Sequence, residues 1–236
     1  MKRELSYAFK KTLPVFFGYL FLGIAFGLLL QHAGYGWPWA LLISGLIYAG
    51  SLQFALVGFL TSGTGLFMTA LMTLLINSRH IFYGLSFLER FRQMGRKYPY
   101  MIFSLTDETY SLLYAESLEE DTKPDWQKSD RMVFLIALLD HSYWVLGSVL
   151  GGIVGELITF DTTGIDFAMT ALFLVIFLDQ WQAKASRLPA MIGLFSATLF
   201  LILLGPDRFI LPSLIVTTAI LLLLRGRIRT GKEAAL

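Results

Sequence analysis

Long apolar stretches separated by short polar connections dominate the chain. Residues 12–78 contain no Asp, Glu, Lys or Arg, and about 20 predominantly apolar residues cross a bilayer as a helix. This run alone is long enough for three spans. Apolar length and helix breakers predict seven spans, within a range of six to eight, at 13–31, 39–60, 66–88, 131–154, 166–181, 189–205 and 209–224. We therefore expect an all-α integral membrane protein.

The basic residues cluster outside the apolar stretches. Four of the 19 Lys and Arg residues lie in residues 1–11, seven in 89–131 and four in 225–232, whereas the connections near 32–38, 61–65 and 155–166 have none. The positive-inside rule predicts a cell-membrane protein with both termini and the central loop in the cytoplasm. Three full crossings before residue 89 would put that loop on the other side. Either one early segment is re-entrant or split, or residues 90–97 lie outside.

A weak similarity between two parts of the chain suggests an internal repeat. Gly23 and Gly27 precede Gln53 in the first part of the chain, and Gly147 and Gly151 precede Gln180 at a similar spacing in the second part. We predict one polytopic domain, 1–236, with repeat halves 12–88 and 131–205 and discontinuous helices. The polar stretch 89–130 is predicted to be an exposed loop joining the halves, although residues 100–114 are apolar enough to dip into the membrane. The segment 209–224 would be the final helix.

Composition narrows the function classes. The chain is 56% hydrophobic and 15% charged, with a net charge of +2, whereas soluble domains carry roughly 25% charged residues. Its basic residues form no surface patch interleaved with aromatics, so we expect no nucleic-acid partner. There is no cysteine, which excludes disulfides and thiolate metal sites. No hydrolase, zinc-protease or phosphate-binding motif occurs, so we predict neither an enzyme nor a metal or organic cofactor.

The second span carries a polar interruption. Gly50 and Ser51 lie at its centre, flanked by Tyr48 on one side and by Gln53 and Phe54 on the other. A broken helix there would free backbone amides that can hold a carboxylate, and carbonyls that can hold a cation. Alternatively, the small residues allow close helix packing.

The third span contains Asn77, Arg79 and His80, followed by Tyr83. A guanidinium inside an uncharged span is costly unless it faces a cavity or a partner. The alternative is that Arg79 lies near a helix end and extends to the lipid headgroups.

Several acidic residues are candidates for proton coupling. Asp140 lies ten residues into the fourth span, and Asp179 closes the fifth. An intramembrane Asp favours ion or proton coupling, or pairing with a buried cation such as Arg79. Asp107 and Glu108 follow Thr106, and they lie either in a re-entrant segment or at the start of a short helix that Thr106 caps. His80 is a further proton candidate because its ordinary pKa is near neutrality.

These motifs together resemble one family. The chain is similar to the AzlC family, the large subunit of branched-chain amino-acid exporters of the LIV-E type. The resemblance rests on Gly23–Gly27, Tyr48–Phe54, Asn77–His80 with Tyr83 and Gly84, Thr106–Glu108, and Asp140 with Trp144. It implies proton-driven export of leucine, isoleucine, valine and methionine, together with a small AzlD-like membrane subunit of about four spans.

We predict two groups of site residues for such a substrate. A zwitterion with a branched side chain needs an anion-binding group, an ammonium acceptor and an apolar pocket. The predicted substrate contacts are Tyr48, Gly50, Ser51, Gln53, Phe54, Asn77, Arg79, Tyr83, Trp144 and Gln180, and the predicted proton-coupling residues are His80, Asp107, Glu108, Asp140 and Asp179. A channel-like pore and a non-catalytic assembly subunit remain alternative functions.

Overall fold

The computed structural model describes residues 2–118, 124, 126–127, 129–157, 174, 178, 181, 184–205 and 209–224. Across these residues the regular structure is helical: α1 Lys2–His32, α2 Trp37–Leu46, α3 Gly50–Ser62, α4 Leu66–Gln93, a 3-10 turn Gly95–Lys97, α5 Tyr98–Phe103, α6 Asp107–Leu118, α7 Asp130–Leu157, α8 Lys184–Leu204 and α9 Ile210–Leu223. Three stretches are long and apolar enough to cross a membrane, namely Arg3–His32, Asp130–Leu157 and Arg187–Leu204, and four shorter helices are apolar. The all-helical, membrane-type architecture predicted from the sequence is confirmed.

The chain forms two compact units, Met1–Met169 and Thr170–Leu236. In the second unit α8 and α9 pack together, and the Ser196 hydroxyl donates to the Ser213 carbonyl at 3.1 Å. The segment 166–181, predicted as a span, lies almost wholly outside the described residues. The repeat and the single-domain organisation therefore stay predictions.

The first unit is built on α1 and α7, which lie side by side and run parallel. Their contacts advance together along both helices, from Glu4–Arg131 through Thr12–Tyr143 and Gly23–Gly147 to Gln31–Gly155. A methyl group on Gly27 would overlap the Ser148 carbonyl, and one on Gly23 would lie 2.9 Å from the Ser148 nitrogen. Because lipid is as apolar as leucine, the hydrophobic effect does not hold two membrane helices together. Such a pair is stabilised by close packing, which small residues allow. The glycines on both helices therefore serve close helix contact.

The predicted span 39–60 is interrupted at residues 47–49 and reverses direction there. Trp37, at the start of α2, lies against Gly152 of α7, whereas the Ser44 carbonyl accepts from His141 Nε2 at 3.2 Å, about eleven residues back along α7. The α3 contacts then return towards the carboxyl ends of α1 and α7, because the Phe54 ring is 5.8 Å from that of Phe26. Helices α2 and α3 thus form a hairpin whose tip reaches the midpoint, which we define as the level where Tyr19 and Trp144 meet at 5.3 Å.

A second hairpin enters from the opposite end. The sequence predicts an exposed loop at residues 89–130, with 100–114 apolar enough to dip into the membrane, and the structure shows that this segment contains α5 and α6, which pack against the rest of the unit. The Tyr100 ring of α5 packs 5.4 Å from Phe134, and its hydroxyl reaches His141 at 3.1 Å. At the far end of α6, Glu116 pairs with Lys11 at 2.9 Å, near the amino end of α1. Residues 89–130 are polar on average, but one face of the α5–α6 hairpin is apolar and buried, with Met101, Leu105 and Leu113 in the core.

Helix α4 connects the two hairpins and runs antiparallel to α1. Arg79 lies beside Ser51 at the midpoint, whereas Phe91 and Met94 are buried with Ala8 and Met132 near the amino ends of α1 and α7. The same apolar cluster includes Met101, Leu105, Leu113, Val133 and Ile136. The hairpin tips therefore meet inside a frame of three long helices.

Candidate functional site

The tip of the first hairpin leaves helical donors unsatisfied. Tyr48 takes a positive φ of 40°, which costs a residue with a Cβ about 1–3 kcal/mol. Among the described residues, no side chain caps α3, whose N-cap is Ala49. The first amides of a helix have no partner within it, so those of Gly50, Ser51 and Leu52 concentrate positive partial charge at the midpoint.

The tip of the second hairpin is capped. The Thr106 hydroxyl accepts from the Thr109 amide at 3.3 Å, so it caps α6 as the sequence favours. Asp107 and Glu108 occupy the first turn, where carboxylates complement the helix dipole. The capped helix begins at the midpoint of the unit, so its acidic residues lie deep in the bundle.

Arg79 joins the two tips. Its Nη2 lies 2.8 Å from Asp107 Oδ2 at the start of α6 and 3.1 Å from the Ser51 hydroxyl at the start of α3. Tyr83 donates to Asp107 Oδ1 at 2.7 Å. The Arg79 Nε is buried and has no hydrogen-bond partner in the described part of the chain. Arg79 is thus held by one carboxylate while it keeps a free donor.

Gln53 is fully buried between α2 and α7. Its amide nitrogen donates to the Ser44 hydroxyl at 3.1 Å, and its carbonyl oxygen accepts from the Trp144 indole N–H. A buried indole N–H needs such a partner, which explains a tryptophan in the middle of α7. The Trp144 ring also packs 3.1 Å from the position a side chain on Gly50 would occupy.

A chain of hydroxyls connects two acidic residues. The Tyr19 hydroxyl lies 2.7 Å from Glu108 Oε2 and 2.6 Å from Thr106 Oγ1. Thr106 donates to Thr109 Oγ1 at 3.1 Å, and Thr109 donates to Asp140 Oδ2 at 2.9 Å. Asp140 is fully buried, and its Oδ1 has no partner within the described ranges.

Two sequence-based alternatives are decided by these contacts. Asp140 was considered as a partner for Arg79, but Arg79 pairs with Asp107, and Asp140 is held by Thr109 instead. The interpretation of Arg79 as a headgroup anchor is also wrong, because its guanidinium points to the two hairpin tips.

Among the predicted substrate contacts, the aromatic residues Phe54, Tyr83 and Trp144 are not all brought together by the structure. Phe54 and Trp144 both pack against Phe26, at 5.8 and 6.4 Å. Tyr83 instead stacks on Tyr110 at 4.4 Å on the α4 side of the unit.

The other candidates lie around or beyond this centre. His80 packs edge-on against Tyr83 at 5.8 Å, and Asn77 is half-buried on α4. Asp179 and Gln180 lie outside the described residues. Within the described ranges, no group of three His, Asp or Glu side chains is placed to hold a metal ion.

This network also contains Tyr19, Ser44 and Thr109, which the sequence pattern did not single out. Each is fully or almost fully buried. A signal did exist for Tyr19, whose hydroxyl lies in the middle of a predicted span and must find a partner there. Ser44 and Thr109 carry no such signal, because single hydroxyls are common in membrane helices.

Comparison with known proteins identifies the family. The model of the "AzlC protein" family matches residues 14–158, which include both hairpins, α4 and all of α7. The chain is 38% identical over 218 residues to the branched-chain amino acid transport protein AzlC of Bacillus subtilis, covering 92% of this chain and 84% of the relative. The chain belongs to the AzlC family.

Other relatives of this AzlC family member carry less specific names. An uncharacterized membrane protein of Helicobacter pylori strain J99 is 39% identical over 223 residues, with 94% of this chain and 95% of the relative covered. The inner membrane protein YgaZ of Escherichia coli K12 is 30% identical over 183 residues, with 75% and 73% covered. No solved structure matches the chain significantly. These two relatives support a membrane protein, and the Bacillus subtilis relative supports a role in transport.

Proposed function

We propose that this protein is the large subunit of a secondary transporter that exports leucine, isoleucine, valine and methionine by proton antiport with a small AzlD-like membrane subunit. One observation carries the proposal: within the part of the chain that the structure describes, donors and an acceptor without hydrogen-bond partners lie close to the hairpin tips. The donors are the first amides of α3 and Arg79 Nε, and the acceptor is Asp140 Oδ1. An amino-acid zwitterion presents the complementary carboxylate and ammonium.

The two hairpins provide a physical basis for such a site. Half-helix amino ends that meet inside a bundle place positive partial charge where water is scarce. The α3 amides and Arg79 would hold the substrate carboxylate, while Asp140 would receive the ammonium or the coupling proton. Gln53 and Asp140 are fully buried, which supports our interpretation of this conformation as a closed state of the transporter.

The proposed substrate contacts are those predicted from the sequence, namely Tyr48, Gly50, Ser51, Gln53, Phe54, Asn77, Arg79, Tyr83, Trp144 and Gln180. The proposed proton-coupling residues are His80, Asp107, Glu108, Asp140 and Asp179.

The hairpins also support a cytoplasmic location for the amino terminus, whereas the cytoplasmic carboxyl terminus stays a prediction because residues 225–236 lie outside the described part of the chain. If α2–α3 enters and leaves from the outer side, α4 crosses once and brings the basic residues 90–97 to the inner side. The α5–α6 hairpin then enters from the inner side, and α7 starts there. All basic clusters before α7 lie inside in this topology, as the positive-inside rule requires.

Coupling to a proton gradient can drive this export. A unit charge that moves through 100 mV yields about 2.3 kcal/mol. The chain carries no nucleotide-binding motif, so we assign the driving force to the gradient.

Counterflow of labelled leucine in proteoliposomes tests the proposal, with and without the small subunit. We expect saturable counterflow in the wild-type protein and a loss of at least about tenfold in Arg79→Gln, equivalent to about 1.4 kcal/mol. Arg92→Gln is the matched control, because Arg92 is exposed at the end of the same helix and its replacement should leave counterflow intact.

The alternative functions predict different results. A pore gives flux that follows the gradient without saturation or counterflow. An assembly subunit tolerates Arg79→Gln as well as it tolerates Arg92→Gln. Either result would refute the carrier proposal.

A further inference from the structure

A continuous hydrogen-bonded path of five side chains joins two carboxyl groups. Its members, in order, are Glu108, Tyr19, Thr106, Thr109 and Asp140. The bonds run from Glu108 to Tyr19 at 2.7 Å, to Thr106 at 2.6 Å, to Thr109 at 3.1 Å and to Asp140 at 2.9 Å. The path crosses three helices, because Tyr19 belongs to α1, Glu108 and Thr109 to α6, and Asp140 to α7. Tyr19, Thr106, Thr109 and Asp140 are at most 6% exposed.

Each of the three hydroxyls on this path has a single proton and can donate only one hydrogen bond along it, so the hydrogen bonds of the path all point the same way. If Glu108 is protonated and Asp140 is ionised, every donor points towards Asp140. If Asp140 is protonated and Glu108 is ionised, every donor points towards Glu108.

We propose that Tyr19, Thr106 and Thr109 conduct a single proton between Glu108 and Asp140, so that the two carboxyl groups share it. This inference rests on the proposed proton coupling and assigns it a route. Going one way, Asp140 gives its proton to Thr109, Thr109 passes its own proton to Thr106, Thr106 to Tyr19, and Tyr19 to Glu108. Every hydroxyl loses one proton and gains one, and the negative charge moves from Glu108 to Asp140.

The ends of the path differ in their surroundings. Tyr100 from α5 and Tyr143 from α7 face the Asp140 end. Tyr48 from the α2–α3 connection lies along the path, beside Tyr19, Thr106, Thr109 and Asp140. Asp107 and Arg79 face the Glu108 end, where Arg79 forms the only described ion pair at the hairpin tips. A substrate ammonium at the unpaired Asp140 Oδ1 would favour the ionised form of Asp140. Substrate binding at one end would therefore drive the shared proton to the other.

The test compares two transport measurements in the same proteoliposomes. Counterflow exchanges substrate for substrate and needs no net proton movement, whereas export driven by a pH gradient does. We expect the ratio of gradient-driven transport to counterflow to fall about 100-fold in Tyr19→Phe and in Thr109→Val, the low end of what a positioned proton-transfer group contributes.

Matched variants separate proton conduction from packing. Thr109→Ser keeps the hydroxyl and should restore the ratio of gradient-driven transport to counterflow. Tyr114→Phe removes a hydroxyl from an exposed tyrosine of the same bundle and should leave that ratio unchanged. An unchanged ratio in Tyr19→Phe and Thr109→Val overturns the path. So does a lowered ratio that Thr109→Ser fails to restore. Absence of counterflow in the wild-type protein refutes the proposed function instead.

A titration tests the path without transport. Carboxyl infrared bands of the purified protein, followed against pH, report when Asp140 ionises. We expect Glu108→Gln to displace the Asp140 titration strongly in the wild-type background and much less in Tyr19→Phe, because coupled groups titrate as a pair. Equal displacement in both backgrounds overturns the shared proton.

Discussion

Arg79 and Asp107 hold opposite charges between the two hairpin tips, with side chains 30% and 36% exposed. Removal of either charge leaves the other without its partner in a region of low dielectric. We expect Arg79→Gln and Asp107→Asn each to destabilise the protein by about 1–3 kcal/mol, between the limits for exposed and buried pairs. Thermal unfolding in detergent measures this cost.

The double variant Arg79→Gln/Asp107→Asn is the informative control. It removes both charges together and should be more stable than the sum of the two single effects predicts. Strict additivity would show that the pair contributes nothing to the junction of the hairpins.

The Trp144 indole supplies the hydrogen bond that the buried Gln53 oxygen needs. Trp144→Phe keeps an aromatic ring but removes the donor, and an unsatisfied buried acceptor costs about 1–3 kcal/mol. We expect a corresponding loss of thermal stability in detergent, whereas Trp39→Phe should have little effect because Trp39 is 52% exposed. Equal losses in both variants would contradict the role of this hydrogen bond.

At the scale of elements, the parallel contact of α1 and α7 depends on glycine. A methyl group on Gly27 overlaps the Ser148 carbonyl, whereas one on Gly58 of α3 meets nothing within 4 Å. We expect Gly27→Ala to destabilise the protein by about 1–3 kcal/mol or more and Gly58→Ala to be neutral or slightly stabilising. The difference between their unfolding temperatures checks this, and equal temperatures would mean that α1 and α7 do not pack this closely.

The elements were predictable in part. Gly50 and Ser51 within an apolar run left two alternatives open, an interrupted helix or close helix packing, and the structure shows the interruption, at residues 47–49 just before Gly50. The reversal of α3 was not predictable, because it depends on Gly50 meeting Trp144 and on Phe54 meeting Phe26, contacts between residues far apart in sequence. The conflict between charge distribution and span count did signal that a segment fails to cross.

The candidate site was also predictable only in part: its polar residues could be found from the sequence, but their partners could not. Arg79, Gln53 and Asp140 stood out because polar side chains are costly in an apolar helix. Their actual partners, Asp107, Trp144 and Thr109, follow only from how the two hairpins dock against α1, α4 and α7.

At the scale of the whole molecule, the hairpins predict on which side of the membrane each connection lies. The chain has no cysteine, so single cysteines can be placed without background labelling. We expect Ser62→Cys, after α3, to react with a membrane-impermeant maleimide from the outside, and Arg96→Cys, after α4, only from the inside.

The control for labelling is His32→Cys at the end of α1. It should react from the outside whether α2–α3 forms a hairpin or crosses the membrane completely. If α2–α3 instead crossed the membrane completely, Ser62→Cys would react from the inside and Arg96→Cys from the outside. That result would exclude opposed hairpins.

The hydrogen bond between Gln53 and Trp144 joins residues 91 positions apart, which has a consequence for biosynthesis. At 5–20 residues per second, the ribosome makes Gln53 roughly 5–20 s before Trp144. During that interval the Gln53 side-chain oxygen lacks the indole N–H from which it later accepts a hydrogen bond, and the first hairpin has no α7 to lie against. We therefore expect a chain truncated before residue 130 to leave the first hairpin open to quality-control proteolysis.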